Sequence, residues 1–309
     1  MGNTVLKKGL KEINSMKDYY KSFLTENVPP GAIFSAKTAL CSITAYKSGK
    51  VLFQGKGGME EAAKWGNPEP SGSENKLQKS GTSALPPNLP SMSVIGSDEV
   101  GTGDYFGPIT VCAAYARSSD LALLKELGVQ DSKNLKDDRI IEIAKQLVTF
   151  LPYSLLTLKN EKYNELQKSG MSQGKMKGLL HNQAIQHLLN KIAPEEPEAI
   201  LIDQFAQKEV YYNYLKGQPT IVRDRVYFST KAEGIHLAVA AASMIARYAF
   251  VQRFDALSKE AGFIIPKGAG AQVDIAAAKL IKSKGAECLN EFVKLHFANT
   301  DKAMKLSKK

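Results

Sequence analysis

Apolar residues in this chain follow two patterns, steps of three or four and short unbroken runs. Leu6, Leu10, Ile13, Met16, Tyr20, Phe23 and Leu24 recur at helical spacing, which predicts an amphipathic helix ending before Pro29-Pro30. Residues 32 to 56 are rich in Ile, Phe, Thr, Val and Tyr and are broken by Lys47-Ser48-Gly49-Lys50. They predict two or three short antiparallel strands, with a second short helix over 59 to 65. Further on, Val94-Ile95 and the run Ile109 to Ala116 predict a strand hairpin. Helical spacing follows at 119–127 and 136–150, then a strand at 153–158 and a helix through 175–192. AILID at 199–203, a short apolar run closed by an acid, predicts a buried strand, and the chain from 271 onward reads as helices. Strands alternating with helices predict an α/β fold.

Between Gly66 and Met92 the composition turns to Pro, Ser, Gly, Asn and Lys, with too little apolar surface to offset the entropy of ordering it. This divides the chain into a small module, 1–65, a linker, 66–92, and a larger module, 93–309. The division matters for charge. The chain carries a formal net charge of +10, and residues 1–65 hold ten Lys against five acids, or half of that excess in about a fifth of the length. Such a balance suits a polyanionic partner. Cys41, Cys112 and Cys288 form no C-x-x-C pair, so neither a disulfide framework nor a structural zinc is supported. No apolar stretch reaches the ~20 residues of a membrane span, and the N-terminus lacks a secretory pattern. The expectation is a cytoplasmic monomer that does not engage membranes.

The stretch IGSDEVGTGDYFGP, 95–108, sets Asp98 and Glu99 side by side at the end of an apolar run. In a regular strand neighbouring side chains point to opposite faces, so the pair is expected to converge only where the strand ends or bulges, as Gly96, Gly101 and Gly103 would permit. Asp203 closes the AILID strand, at the edge where open α/β sheets bind ligands. Glu233 stands ahead of a helix rich in small residues, Ala238 and Ala240 to Ser243, where the macrodipole favours a carboxylate. Clustered acids are unfavourable without a cation. Hard oxygen donors select Mg2+ or Mn2+, and such ions serve phosphodiester displacement. Taken one at a time, each acid is more readily a cap or a dipole partner than a catalytic group.

SDEVGTGDYFGP, QDSKNLKDDR, AILIDQF and KAEGIHLAVAAASMIARY resemble, in order, the four active-site segments of the bacterial type II and type III ribonucleases H. The resemblance spans 93–309. Gly101-Thr102-Gly103 in place of the usual Gly-Arg-Gly, Glu233 in place of Asp, and His236-Leu237 in place of a Tyr-Pro favour type III. So do the LHFANT segment and the helix-and-sheet module, which is similar to the TATA-binding-protein-like domain of that type. The resemblance implies an RNase H-like α/β catalytic domain with a mixed sheet and helices, behind a small α+β domain. It also implies endonucleolytic cleavage of the RNA strand of RNA/DNA hybrids to 5′-phosphate and 3′-hydroxyl ends. By motif, Asp98, Glu99, Asp203 and Glu233 are the metal-binding catalytic acids, and Gly101, Thr102 and Gly103 bring backbone groups to ribose 2′-hydroxyls. Loss of the type II tyrosine implies weak cutting at a single ribonucleotide in DNA.

Ser132, Lys133 and Asn134 are candidates for a phosphate contact, and as a polar loop before a helix equally for a structural role, while Asp131 suits a turn or cap. Lys37, Tyr46, Lys47 and Lys50 combine charge with an aromatic, the mixture that grips a nucleic-acid backbone. His181, His187, His236 and His296 are dispersed and read as packed residues, though His236 lies close to Glu233. PKGAGA, 266–271, lacks the P-loop spacing and reads as a loop before a helix. Three rivals stay open at this stage. They are a type II enzyme cutting at single ribonucleotides, a non-catalytic hybrid-binding protein, and another nuclease of the same fold.

Overall fold

The computed structural model describes residues 3–26, 28–29, 31–66, 85–130 and 135–308. Contacts divide the chain into two compact units, 1–79 and 80–309. Ser132, Lys133, Asn134 and Asp131, with most of the expected linker, lie outside the described residues. The end of that linker is ordered: Leu89–Ser91 makes a 3-10 turn and Leu89 is buried in the second unit.

The first unit comprises β1 (Asn3–Lys7), α1 (Leu10–Tyr19), β2 (Ala32–Lys37), β3 (Ser42–Tyr46), β4 (Lys50–Gln54) and α2 (Gly58–Ala63). Its antiparallel sheet runs β1-β4-β3-β2. Residues 3–7 therefore form a strand and are not the start of the expected helix. Leu6 is buried and Val5 exposed, a period of two, and the strand pairs with β4 from Asn3↔Gln54 to Lys7↔Lys50. The helix begins only after Gly9, whose N–H is accepted by Glu12 Oε2 at 3.0 Å. Phe34, Ala36, Ile43, Ala45, Val51 and Phe53 face Ile13 and Met16 of α1 and Ala62 of α2. Strand alternation turns Lys37, Tyr46 and Lys50 to the opposite face of the sheet.

The second unit comprises β5 (Val94–Val100), β6 (Ile109–Ala116), α3 (Leu121–Glu126), α4 (Asp137–Phe150), β7 (Tyr153–Leu158), α5 (Asn160–Lys168), α6 (Gln173–Ile192), β8 (Ala199–Asp203), α7 (Lys208–Tyr214), β9 (Val226–Ser229), α8 (Leu237–Ala261), α9 (Ala271–Lys284), α10 (Leu289–Phe292) and α11 (Asn299–Ser307). The sheet order is β7-β6-β5-β8-β9. β5, β6 and β7 pair antiparallel, whereas β5, β8 and β9 pair parallel. One core lies between the sheet and α8 with α4, built on Val94, Leu201, Ala241 and Ile143. A second lies between the sheet and α6, built on Ile95, Ile202, Ile185 and Leu188. A third joins α8 to the C-terminal helices through Tyr105, Phe106, Phe250 and Phe292.

α8 sits unusually close to β5. A Cβ built on Gly96 would stand 2.2 Å from the backbone nitrogen of Val239, a distance no side chain tolerates, so glycine is required there. The alanines of α8 meet this approach from the other side.

Candidate active site

Along β5, Gly96 and Asp98 face α8, whereas Ser97 and Glu99 face α6. The strand neither ends nor bulges at the acid pair, contrary to the expectation above. Its register with β6 runs unbroken through Asp98↔Cys112, Glu99↔Val111 and Val100↔Thr110. The two carboxylates meet for a different reason. Pairing of β5 with β8 stops at Ser97↔Ile202, and past that point the sheet opens into a cavity of about 430 Å3 that both faces of β5 reach. Asp98, Glu99, Gly101, Thr102, Gly103 and Asp203 all line it, together with Ser243, Asp137 and Arg247.

Glu233 is not among the lining residues. It is buried in the 3-10 turn Ala232–Gly234, and the adjoining Ala232 N–H donates to Asp203 Oδ1 at 2.9 Å. His236, read as packed, is buried and caps α8. Its Nδ1 accepts from the Ala238 N–H at 3.0 Å, and Nε2 lies 3.1 Å from the Met92 carbonyl. Gly101 has φ of +95°, and a Cβ on it would stand 2.2 Å from the Pro108 carbonyl oxygen. Its left-handed backbone turns the chain out of β5 and presents Thr102 and Gly103 to the cavity.

The acids differ in charge state. Burial, then the charge of Glu99, pushes the Asp98 carboxyl up to about 7, despite a hydrogen bond with Ser243; the nearby Asp203 adds to the rise. Burial also opposes ionisation of Glu99, but hydrogen bonds and charge from His181 and Lys177 outweigh it and hold that group down at about 2. Burial raises Asp137 too, and its contacts with Lys267 and Arg247 more than reverse this.

Among the described residues, no three His, Cys, Asp or Glu side chains stand ready around one point for an ion. The cavity acids are turned to protein partners, Glu99 to Lys177 and His181 and Asp203 to the Ala232 N–H. The donor set nonetheless suits a hard divalent cation. Asp98, Glu99 and Asp203 share one opening, and the latter two raise the pKa of Asp98, repulsion that a cation among them would relieve.

A family model described as Ribonuclease HII matches residues 95–300. The chain belongs to the type 2 ribonuclease H family. A second model, a domain of unknown function (DUF3378), matches residues 3–79. The ribonuclease HIII of Bacillus subtilis is 60% identical over 100% of this chain and 99% of its own, and that of Listeria monocytogenes is 55% identical over 100% of both. Among solved structures, Bst-RNase HIII in complex with Mn2+ is 46% identical, covers 99% of both chains and superposes with a TM-score of 0.71. Ribonuclease H2 from Pyrococcus horikoshii, at 21% identity and a TM-score of 0.55, covers 70% of this chain and shares the fold. Membership in the ribonuclease HIII branch makes the chain a ribonuclease H, an endonuclease for the RNA strand of RNA/DNA hybrids.

Several residues around this cavity were not legible in the sequence. Arg247 Nε donates to Asp137 Oδ1 at 2.9 Å and Lys267 Nζ to Asp137 Oδ2 at 2.5 Å, a charged triad of which Asp137 and Arg247 line the cavity. The 266–271 loop also holds the glycine segment. Asp104 Oδ1 accepts from the Gly268 N–H at 2.7 Å, and the Tyr105 N–H donates to the Gly268 carbonyl at 2.9 Å. His181, read as packed, is fully buried but bonded to Glu99 and Ser97. For His181 the signal lay in a polar residue at a buried helical position, visible only once the burial of neighbours such as Met176, Ala184 and Ile185 is known.

Proposed function

We propose that Asp98, Glu99, Asp203 and Glu233 are the catalytic and metal-binding acids of this ribonuclease H. The observation that carries this is the convergence of Asp98, Glu99 and Asp203 with the Gly101-Thr102-Gly103 turn on one cavity. These acids would hold a Mg2+ or Mn2+ ion, which would supply positive charge at the scissile phosphate and lower the pKa of a water. The relative solved with Mn2+ supports that choice. Asp98, raised to about 7 by burial and by the charge of Glu99, is an acid whose ionised form a cation there would favour.

Gly101, Thr102 and Gly103 offer backbone groups to the ribose 2′-hydroxyls of the RNA strand, a contact that DNA cannot return. The hybrid is cut to 5′-phosphate and 3′-hydroxyl ends. Ser132 and Lys133 are assigned to a neighbouring phosphate on the strength of the motif alone. The first unit is a basic substrate-binding domain whose Lys37, Tyr46 and Lys50 share one sheet face, with Lys47 in the turn beside them. The chain acts as a cytoplasmic monomer. Free Cys41, Cys112 and Cys288 fit a reducing compartment, and among the described residues no helix is long and apolar enough to cross a membrane.

The test uses purified protein with Mg2+ or Mn2+ on three end-labelled duplexes: an RNA/DNA hybrid, double-stranded DNA, and DNA bearing one ribonucleotide. Asp98→Asn is run alongside. Cutting of the hybrid alone, abolished in the variant, is the expected result. Efficient cutting at the lone ribonucleotide would move the specificity to the type II pattern, and an active Asp98→Asn would remove the acids from their role.

A further inference from the structure

α6 points one row of side chains at the site from behind the sheet. Gln173, Lys177 and His181 are spaced by four and so share a stripe of the helix. Gln173 Nε2 donates to the Thr102 carbonyl at 3.2 Å, inside the Gly-Thr-Gly turn. Lys177 Nζ donates to Glu99 Oε1 at 2.8 Å, and His181 Nε2 lies 3.0 Å from Glu99 Oε2. An ionised carboxylate only accepts, so Nε2 is the donor. Both oxygens of Glu99 are thus held from one helix.

The row is itself fixed. His181 Nδ1 lies 2.7 Å from Ser97 Oγ, which also lies 3.1 Å from the Cys112 carbonyl, anchoring the ring to β5 and β6. Phe205, two residues beyond Asp203, stacks on the His181 ring with centroids 5.1 Å apart, and Lys177 Nζ stands 4.3 Å from the centre of the same phenyl ring. His181 has no solvent exposure and the Lys177 side chain only 12%. Neither has room to move aside.

Past Ser97, β5 has a partner on only one edge, so pairing with β8 does not set where Glu99 points. We propose that Lys177 and His181 are positioning residues that fix the rotamer of Glu99, while Gln173 holds the Thr102 turn at a set offset from that acid. The proposal rests on the reading of Glu99 as a site acid. A purely structural role, neutralising a buried carboxylate, predicts lost stability with unaltered turnover. A positioning role predicts lost turnover with intact substrate binding.

The experiment compares full-length wild type, Lys177→Met, His181→Phe, His181→Gln and Asp98→Asn on an RNA/DNA hybrid. It measures kcat and KM, hybrid Kd in EDTA by anisotropy, Mn2+ binding by calorimetry, and melting temperature. Lys177→Met and His181→Phe are expected to lower kcat by about 10- to 100-fold, as loss of an orienting partner does, with KM and metal-free Kd nearly unchanged. His181→Phe is expected to weaken Mn2+ binding. His181→Gln, whose amide places an N–H donor toward Glu99, is expected to recover most of the loss. Should His181→Phe fail to fold, Lys177→Met carries the comparison, because its head group lies at the edge of the packed region. Wild-type kcat in both variants, or a loss that follows melting temperature and is not recovered by His181→Gln, overturns the proposal. An inactive Asp98→Asn beside fully active α6 variants removes this inference alone, whereas an active Asp98→Asn removes the site reading beneath it.

Discussion

Lys294 Nζ donates to the Gly107 carbonyl at 2.6 Å from a side chain with no exposure to solvent. The same ammonium donates to the Asp104 carbonyl at 2.7 Å, and Asn160 adds a second donor to Gly107 at 3.0 Å. A buried cation from the C-terminal segment thus ties down the far end of the glycine turn that begins at Gly101.

Burial pushes the Lys294 amine down to about 7, although the nearby Asp104 carboxylate pulls the other way. In the unfolded chain a lysine titrates near 10.4. Between these values the folded chain binds fewer protons than the unfolded one, so this group makes stability rise with pH, by up to about 1.4 kcal/mol per pH unit. Below pH 7 both states are protonated and the penalty for the buried charge is present in full. Urea midpoints from pH 6.5 to 9 are expected to rise more steeply in wild type than in Lys294→Met. Parallel curves would place the charge change elsewhere.

Gly96→Ala puts a methyl group into the backbone of α8 at Val239. A helix moves less readily than a side chain, so the cost is expected at about 3 kcal/mol or more, with hybrid cleavage lost alongside because Asp98 lies two residues away. Thermal melts test this directly, and a variant within 1 °C of wild type would mean that α8 does not pack as close as described.

Arg247 and Lys267 share Asp137, so this triad carries one net positive charge beside a cavity whose other charged lining residues are acids. Arg247→Met is expected to weaken hybrid binding several-fold with little sequence dependence, and to reduce the slope of log K against log salt by about one. An unaltered slope would show that Arg247 serves Asp137 and not the nucleic acid.

On the sheet of the first unit, Lys37 is at the end of β2 that pairs with Ser42, four residues along β3 from Tyr46. At ~3.4 Å per residue that is roughly 14 Å, the reach of a few nucleotides. The double variant Lys37→Ala, Lys50→Ala in the full chain is expected to raise hybrid Kd about tenfold and leave kcat within twofold. Affinity equal to that of wild type would remove this face from substrate binding.

Much of this was legible in the sequence. β5, β6, β8 and α8 announce themselves through apolar runs and small residues, and Asp98 and Glu99 within β5 and Asp203 at the end of β8 are conspicuous as carboxylates on apolar strands. What stayed hidden depends on distant partners. β1 looks helical because Leu6 and Leu10 are four apart, and only pairing with β4, over forty residues later, makes 3–7 a strand. α5 shows few apolar residues, since Asn160 and Asn164 do its buried work by hydrogen bonding to Gly107 and to Asn290 and Val293. Convergence of the acid pair was expected from a bulge because a single strand cannot reveal where its neighbour stops. His181 reads from sequence as merely packed because its partners, Glu99 and Ser97, lie on a distant strand.

The alternation along β5 has one more consequence. Asp98 belongs to the side of the sheet packed by α8, and Glu99 to the side packed by α6. The two carboxylates are therefore mounted on separately packed hydrophobic layers, like the two jaws of a caliper. Loosening of either layer would open the gap between the acids without disturbing the other jaw, so residues far from the cavity, such as Ile143 and Leu188, become fine adjusters of the spacing between Asp98 and Glu99.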